Sequence, residues 1–368
     1  MTIYLTHYCT AATTQTTLLE DIAYPQSVHW FPDTYARKDT GLVYPPHKLA
    51  DKVLDATILA TLRKMPVKTA FILAAGNTHF AGINPRNTAR TQLTYEYKVL
   101  PLTLTQVYAG RIAQMCDAND LVITDASACA SSLKVLQTVQ ELITLYQFER
   151  VVVLTVEDAV SNAVLEFFGE AQASLSAKDQ QSGILPSAFD DKNYGFFVGQ
   201  GAALAVFETQ PTAQPIAKLL GAYAASECST NAIGQTKNGE GFIKAMQGAM
   251  RMSSILPTQI DVVKTHGTGT KSNNIAEDAA LKTIMGNKFI ATSYKQRIGH
   301  TMGASGLLES LLLMEDINKG FVPEIPNRTA HDDTYLSRPK EAIEKSIILS
   351  LAAGMGNIYA AAIFDTRV

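Results

Sequence analysis

The amino-acid sequence predicts an α/β fold built from two halves, each with a sheet covered by helices on both faces. Short apolar runs rich in β-branched residues alternate along the chain with longer segments whose apolar residues recur at helical spacing. The 368 residues, 46% hydrophobic, suffice for a large core or two fused half-domains. A turn-rich segment, Thr209–Pro215, separates the predicted N-terminal domain (1–210) from the C-terminal domain (211–368).

The first half follows this alternation in order. Strands are predicted over Thr2–Thr6, Lys68–Ala74, Leu121–Asp125, Arg150–Thr155 and Gly201–Glu208, and helices over Leu18–Ile22, Leu49–Leu62, Leu133–Ile143 and Ala163–Leu175. The run Arg150–Thr155 has no polar alternation, so it is expected to be buried on both faces. Glu157 and Asp158 follow it, and adjacent strand residues point to opposite faces, so we expect structural or solvated roles. The polar segment His79–Tyr97 is predicted to be a surface segment or lid.

The second half repeats the pattern. Strands are predicted over Ile216–Tyr223, Ile260–Thr265, Phe289–Ser293, Ser346–Leu351 and Tyr359–Phe364, and helices over Gly241–Ser253, Ile275–Ile284 and Gly306–Ile317. Strands interleaved with helices indicate parallel sheets with helices on both faces.

Composition limits the function. The net charge of −3 gives no basic footprint for nucleic acid. Four scattered cysteines without CxxC spacing predict neither a metal site nor a disulfide framework; they are Cys9, Cys116, Cys129 and Cys228. No run approaches the ~18 apolar residues of a membrane span, and the N-terminus lacks the pattern of a signal peptide. We therefore expect a cytoplasmic protein without nucleic-acid or membrane partners.

Cys129 lies where a strand passes into a helix. The buried strand Leu121–Asp125 is followed by the small-residue corner Ala126-Ser127-Ala128, and helical periodicity begins at Leu133. The free N–H groups and positive dipole end of a helix favour a thiolate, which predicts a lowered thiol pKa. This strand–turn–helix geometry is the one in which α/β enzymes present a nucleophile. The alternative is a buried structural cysteine.

Two further stretches carry histidines. His266 follows the apolar run Ile260–Val263 in the turn KTHGTGT, and TSYKQRIGH carries Lys295 and His300 ahead of a helix. An ACASS cysteine, an HGTGT histidine and a K-x4-GH histidine, in that order, resemble the β-ketoacyl-acyl carrier protein synthases with a Cys-His-His triad. The segments Ser187–Glu208 and Leu349–Phe364 are similar to the family's "PFD…dGFv.GEGa" and "FGFGGTN" stretches.

The resemblance implies the thiolase fold, a five-layered α-β-α-β-α arrangement of two related halves. It also implies a decarboxylative Claisen condensation in fatty acid, polyketide or polyene biosynthesis. Acyl carrier protein would deliver substrates on its phosphopantetheine arm, and the synthase itself would bind no cofactor. Cys129 would carry the acyl group, and neutral His266 and His300 would donate hydrogen bonds to the enolate oxygen.

The resemblance also assigns supporting roles. Lys295 would hold charge and hydrogen bonds around the site, with Glu309 as its buried partner. Thr268 and Thr270 would bind the pantetheine amides. Backbone N–H groups of Cys129 and Ala353 would form the oxyanion hole for acyl transfer.

Some residues depart from the family pattern. Asn273-Asn274 stands where an aspartate is usual, although the acidic Glu277 remains. The loop SLAAGMGN replaces SFGFGGTN, which puts Ala353 at the gating phenylalanine and Met355 at a glycine. We expect an acyl entrance without a bulky gate and a loop with less freedom.

Two readings remain open. The chain is an active synthase, or it is a chain-length-factor-like partner that pairs with an active synthase and shapes its acyl pocket. Retention of Cys129 favours the synthase. Either reading implies a homodimer or a heterodimer, and the resemblance places Arg150–Thr155 at the two-fold axis as a strand edge that needs covering.

Overall fold

The computed structural model describes residues 1–14, 28–30, 50, 53–76, 105–157, 159, 162–175, 179, 181–227, 234–286, 289–329, 336 and 341–368. The predicted helix Leu18–Ile22, the predicted lid His79–Tyr97, Asp158 and Cys228 lie outside these residues.

The predicted elements of the first half that lie within the described residues occur in the predicted order, and a strand over Val28–Trp30 and a helix over Thr105–Met115, which were not predicted, occur in addition. Its strands are β1 (Tyr4–Thr14), β2 (Val28–Trp30), β3 (Thr69–Ala74), β4 (Leu121–Asp125), β5 (Arg150–Glu157) and β6 (Gly199–Glu208). Its helices are α1 (Ala56–Lys64), α2 (Thr105–Met115), α3 (Ser131–Thr144) and α4 (Asn162–Glu170).

The second half contains the remaining described elements. Its strands are β7 (Ala217–Ser226), β8 (Val262–Lys264), β9 (Ile290–Thr292), β10 (Phe321–Val322), β11 (Glu341–Ala342), β12 (Ile347–Gly354) and β13 (Ile358–Asp365). Its helices are α5 (Glu240–Ser253), α6 (Lys271–Met285), α7 (Lys295–Ile298) and α8 (Ser305–Asn318). No helix of the described chain is long and apolar enough to cross a membrane.

The main sheet is mixed, not parallel as predicted. Its order is β4-β3-β5-β6-β1-β7-β13-β12-β8-β9, with β2 beside β1. Pairs β3–β4, β3–β5, β8–β12 and β8–β9 are parallel, whereas β5–β6, β1–β6, β7–β13 and β12–β13 are antiparallel. The short loop between β12 and β13 permits only an antiparallel pair. The start of β1 also pairs with β7, which joins the two halves.

Five layers of structure are present, which confirms the predicted architecture. On β5, Val151 and Val153 pack into a central core with α3 and α8, while Val152 and Leu154 pack outward against α1 and α2. In the second half, α5 and α6 cover the outer face of β12 and β13. Helices α3 and α8 therefore form the middle layer, and Cys129 precedes the first of them.

The strand β5 is not an edge, so the prediction that placed Arg150–Thr155 at a dimer axis was wrong. β5 lies between β3 and β6 with all eight residues buried, and Arg150 pairs with Glu208 at 2.7 Å. An apolar run predicts that both faces of a strand are buried. It does not predict whether the backbone groups along the edges of that strand pair with a neighbouring strand. Among the described strands, β4 (Leu121–Asp125) is the last at that end of the sheet, and all five of its residues are half-buried.

Candidate active site

Cys129 sits in the predicted strand–turn–helix corner. β4 ends at Asp125, a 3₁₀ turn covers Ala128–Ala130, and α3 begins at Ser131. Ala128 has a φ of +49°, a left-handed conformation that is strained for a residue with a side chain. The Ser131 hydroxyl donates to the Ala128 carbonyl at 2.6 Å and supports this turn. The turn therefore fixes the direction of the cysteine side chain. The residue is 7% exposed.

The resting Cys129 side chain is a thiol. Burial raises its pKa to about 12, Glu157 adds to the rise, and Lys295 opposes it. The predicted lowering of this pKa was therefore wrong, because burial in an apolar cavity removes the hydration that a thiolate needs. Acyl transfer to Cys129 requires removal of a proton as the sulfur attacks.

His300 is fixed by its backbone and by its ring. Its N–H donates to the carbonyl of Phe197 at 2.6 Å, and its carbonyl accepts the N–H of Gly199 at 2.9 Å. The ring Nδ1 accepts the Met302 N–H at 3.2 Å and lies 2.9 Å from the Ser305 hydroxyl. A nitrogen that accepts carries no proton, so this network assigns the proton to Nε2. His300 is thus a neutral donor.

His266 is held by the turn that the sequence predicted. The buried carboxylate of Glu277 accepts the N–H groups of His266 and Gly267, the second at 2.9 Å, and the Asn273 side-chain amide at 2.9 Å. Gly269 has a φ of +75°, and a Cβ there would lie 1.9 Å from the Ser187 carbonyl oxygen. This turn cannot accept a side chain at Gly269.

Both imidazoles are neutral at physiological pH. Burial lowers the pKa of His266 and of His300 well below 6.5, and the nearby ammonium groups of Lys295 and Lys264 lower both further. Their ring centroids are 5.8 Å apart. His266 Nδ1 is buried and has no hydrogen-bond partner within the described residues. The two rings therefore present hydrogen-bonding groups toward a common space.

Lys264, Lys295 and Glu309 form a buried lysine–glutamate cluster behind the histidines. Lys295 Nζ lies 2.8 and 3.1 Å from the two oxygens of Glu309, as the sequence predicted for this pair. Lys264 Nζ lies 3.1 Å from the same carboxylate. All three side chains are 0% exposed. Sequence reasoning missed Lys264; the signal was a lysine at the end of an apolar strand, two residues before His266.

Two cavities share Cys129 in their lining. One, of about 370 Å³, is walled by apolar side chains and one carboxylate: Val164, Phe167, Phe168, Met302, Met355 and Glu157. The other, of about 90 Å³, is lined by His266, His300, Thr268, Thr270 and Ala353. Cys129, Phe167, Phe168 and Met355 border both. The nucleophile therefore stands between an apolar pocket and the smaller space that the two histidines line.

Residues 51–213 match the family described as "Beta-ketoacyl synthase, N-terminal domain", and residues 216–329 match "Beta-ketoacyl synthase, C-terminal domain". The chain belongs to the β-ketoacyl synthase family. Its sequence is 27% identical over 212 residues to the 3-oxoacyl-[acyl-carrier-protein] synthase 2 of Mycobacterium bovis. That alignment covers 56% of this chain and about half, 51%, of the relative.

Solved structures share the fold of this chain. A type II polyketide acyl carrier protein in complex with its ketosynthase matches at a TM-score of 0.77 and 16% identity, covering 99% of this chain and 98% of that one. A ketosynthase in complex with its chain length factor from Xenorhabdus doucetiae matches at 0.74 and 18% identity, covering 99% and 98%. At these identities the similarity confirms the fold, the thiolase fold of the ketosynthases.

In this member of the β-ketoacyl synthase family the predicted site residues come together around the two cavities. The Thr268 and Thr270 hydroxyls are 3.0 Å apart beside the histidines. Ala353 lies in β12, opposite Tyr359 of β13. A Cβ on the next residue, Gly354, would lie 3.3 Å from the Cys129 nitrogen, so the strand end packs directly on the cysteine corner. The loop side chain that borders both cavities is Met355.

Glu157 has a larger structural role than the sequence predicted. It is 0% exposed, which excludes the solvated role, and its carboxylate accepts the N–H groups of Gly76 at 2.7 Å and Gly303 at 3.0 Å. These donors lie at the end of β3 and in the turn before α8. Glu157 thus joins two segments of the wall around the apolar cavity.

Proposed function

We propose that this chain is a β-ketoacyl-[acyl carrier protein] synthase that condenses malonyl carrier protein with an acyl group held on Cys129. The observation that carries the proposal is the arrangement of a neutral His300, with its proton on Nε2, and a neutral His266 over the cavity that holds the cysteine. Two neutral imidazoles that converge on one point can donate hydrogen bonds to an enolate oxygen. Neither ring carries an extra proton in the resting state that it could transfer to the enolate.

The first half-reaction is acyl transfer. The Cys129 sulfur attacks the carbonyl of the acyl-pantetheine thioester, its proton passes to the departing pantetheine sulfur, and an acyl-cysteine thioester forms. Backbone N–H groups of Cys129 and Ala353 form the oxyanion hole, and Thr268 and Thr270 bind the pantetheine amides. The apolar walls of the larger cavity suit an acyl chain and exclude water.

The second half-reaction forms a carbon–carbon bond. The malonyl thioester loses CO2, and the electron pair of the broken bond moves into an enolate whose oxygen accepts hydrogen bonds from His266 and His300. The enolate carbon attacks the acyl carbonyl on Cys129. The sulfur leaves and takes up a proton from solvent, which restores the thiol, and the β-ketoacyl group remains on the carrier protein.

Acyl carrier protein and a second ketosynthase subunit are the partners that we propose. The matched solved structures contain a carrier protein complex and a chain-length-factor complex, which supports both. β4 ends the described sheet with a half-buried apolar strand, and strands of this kind are covered in native proteins. We therefore place the dimer contact at β4, with either an identical or a different subunit. The expected cytoplasmic location is part of this proposal.

The alternative is a chain-length-factor-like subunit. The substituted loop around Met355 favours it, because the one loop side chain at both cavities is a flexible thioether. In that case the chain pairs with an active synthase and shapes its pocket. Condensing activity of the chain alone, compared with activity after a partner is added, separates the two functions.

The decisive experiment is mass spectrometry of the purified chain after incubation with acyl carrier protein carrying an acyl group. The peptide that contains Cys129 should gain the acyl mass, and Cys129→Ala should abolish the gain. Cys116→Ala is the matched control, because Cys116 is also buried but lies outside both cavities. An acyl group on Cys9 or Cys116 in place of Cys129 would contradict the assignment.

A further inference from the structure

A second lysine shares the carboxylate of Glu309. Lys264 ends β8, and its Nζ donates to Glu309 at 3.1 Å and to the Leu351 carbonyl of β12 at 2.8 Å. Lys295 already binds both oxygens of the same carboxylate. One lysine suffices to neutralise one glutamate, and an extra buried cation is costly. Taken by themselves, the three residues of the lysine–glutamate cluster therefore carry an excess positive charge, and Glu277 is a further carboxylate that acts on Lys264.

The surroundings of Lys264 show where this charge acts. The titratable groups that face it are Glu309, Lys295, Glu277, His266 and His300. Glu277 is already bound by three N–H donors of the histidine turn. Of the titratable groups around Lys264, only the two imidazoles are neutral, and they are the groups of the proposed reaction site. Lys264 is two residues before His266 on the same segment, so its distance to the site is set by a short, buried stretch of backbone.

We propose that Lys264 is a positioning residue for the condensation, whose charge adds to burial in opposing protonation of both imidazoles and helps to stabilise the enolate oxygen that they bind. The inference rests on the proposed function, since it gives Lys264 a part in the same decarboxylation. The ammonium group also ties β8 to α8 and, through Leu351, to β12. It thereby fixes the strand that leads to the loop at Met355.

The charge of Lys264 depends on pH near neutrality. Burial lowers its pKa to about 8, Lys295 pushes in the same direction, and Glu309 opposes both. The ammonium form is present below this pKa and is lost as the pH rises through it. Stabilisation of the enolate should therefore weaken above about pH 8. A variant without Lys264 should not show this pH-dependent change.

The test uses the full chain, with any required partner subunit, and malonyl carrier protein as substrate. Lys264→Met removes the charge, and Lys264→Gln also removes it but keeps a donor for the Leu351 carbonyl. Lys282→Met is the matched control, because Lys282 is a half-exposed lysine on α6. Decarboxylation is measured as CO2 release across the pH range around 8. The ring signals of isotope-labelled histidines, assigned with His266→Gln and His300→Gln, are recorded over the same range.

We expect both Lys264 variants to lose roughly tenfold in rate at neutral pH, the effect of one charge acting through protein of effective dielectric constant ~20. The step near pH 8 in the rate and in both histidine signals should vanish, while Lys282→Met behaves as wild type. Folded Lys264 variants that retain the step overturn the proposal, as does an even loss of rate with unchanged histidine signals. A wild-type chain without decarboxylation refutes the proposed function instead, and the histidine signals still decide the role of Lys264.

Discussion

Replacement of Glu309 by glutamine tests the electrostatics of the lysine–glutamate cluster most directly. The change keeps the size of the side chain and leaves Lys264 and Lys295, both 0% exposed, without a carboxylate. Loss of one partner of a buried ion pair costs about 3–5 kcal/mol, because an uncompensated charge remains. Two lysines depend on Glu309, so we expect a loss of unfolding free energy at the upper end of this range.

A double-mutant cycle separates this effect from general disruption. Lys264→Met in the Glu309→Gln background removes one of the two uncompensated cations. The double variant should therefore be more stable than Glu309→Gln. With Lys264→Met alone as the third variant, the coupling should be about 0.5–3 kcal/mol, the range usual for residues in contact. The assay is urea unfolding followed by circular dichroism, at fixed protein concentration and pH 7.

The pH dependence supplies an independent check. The pKa of Lys264 is about 8 in the folded chain, against an ordinary value of 10.5, so between these values the unfolded state binds more protons. The stability that Lys264 contributes should therefore rise with pH over this range, and Lys264→Met should lose that slope. The reasoning is refuted if Glu309→Gln unfolds within about 1 kcal/mol of wild type, or if the double variant is no more stable than Glu309→Gln.

Three further predictions concern the site and the dimer. His300→Ala should lower malonyl decarboxylation by about 10²–10³-fold, the scale for one oxyanion donor, measured as CO2 release; His7→Ala is the control, and an unchanged His300→Ala rate contradicts the triad. Met355→Ala should widen the entrance to the acyl cavity and shift acyl preference toward longer chains in a competition assay. The exposed Met252→Ala should leave that preference unchanged, and an unshifted Met355→Ala means that the loop is not a gate. Thr124→Lys on β4 should weaken subunit pairing in sedimentation velocity, and wild-type association would place the contact elsewhere.

The sequence predicted which residues meet at this site better than it predicted their electrostatics. Motif order was enough to bring Cys129, His266 and His300 to one place, because strand–turn–helix corners and glycine turns are local features. The thiol pKa was predicted with the wrong sign, since a helix end is visible in sequence whereas burial is set by distant walls such as Phe168 and Met302. The role of Lys264 was not predicted for the same reason, because its partners Glu309 and Leu351 lie 45 and 87 residues away in the sequence.

Sheet topology was the other limit. The apolar run Arg150–Thr155 correctly predicted a strand buried on both faces. Its neighbours β3 and β6 come from distant parts of the chain, so its position inside the sheet could not be read from its own residues. The strand at the edge of the described sheet is β4, and its apolar sequence pattern differs little from that of β5. Periodicity thus identified the strands but not their order.

The pairing of β1 has a consequence for synthesis of the chain on the ribosome. Thr6 of β1 is bonded to Val206 of β6, 200 residues later, and the strand start pairs with β7 still further along. At translation rates of about 5–20 residues per second, β1 waits roughly 10–40 s for its partners. During this delay its backbone edges are open to wrong pairing. Efficient production of the protein should therefore depend on a chaperone that shields the nascent N-terminal strand until β6 emerges.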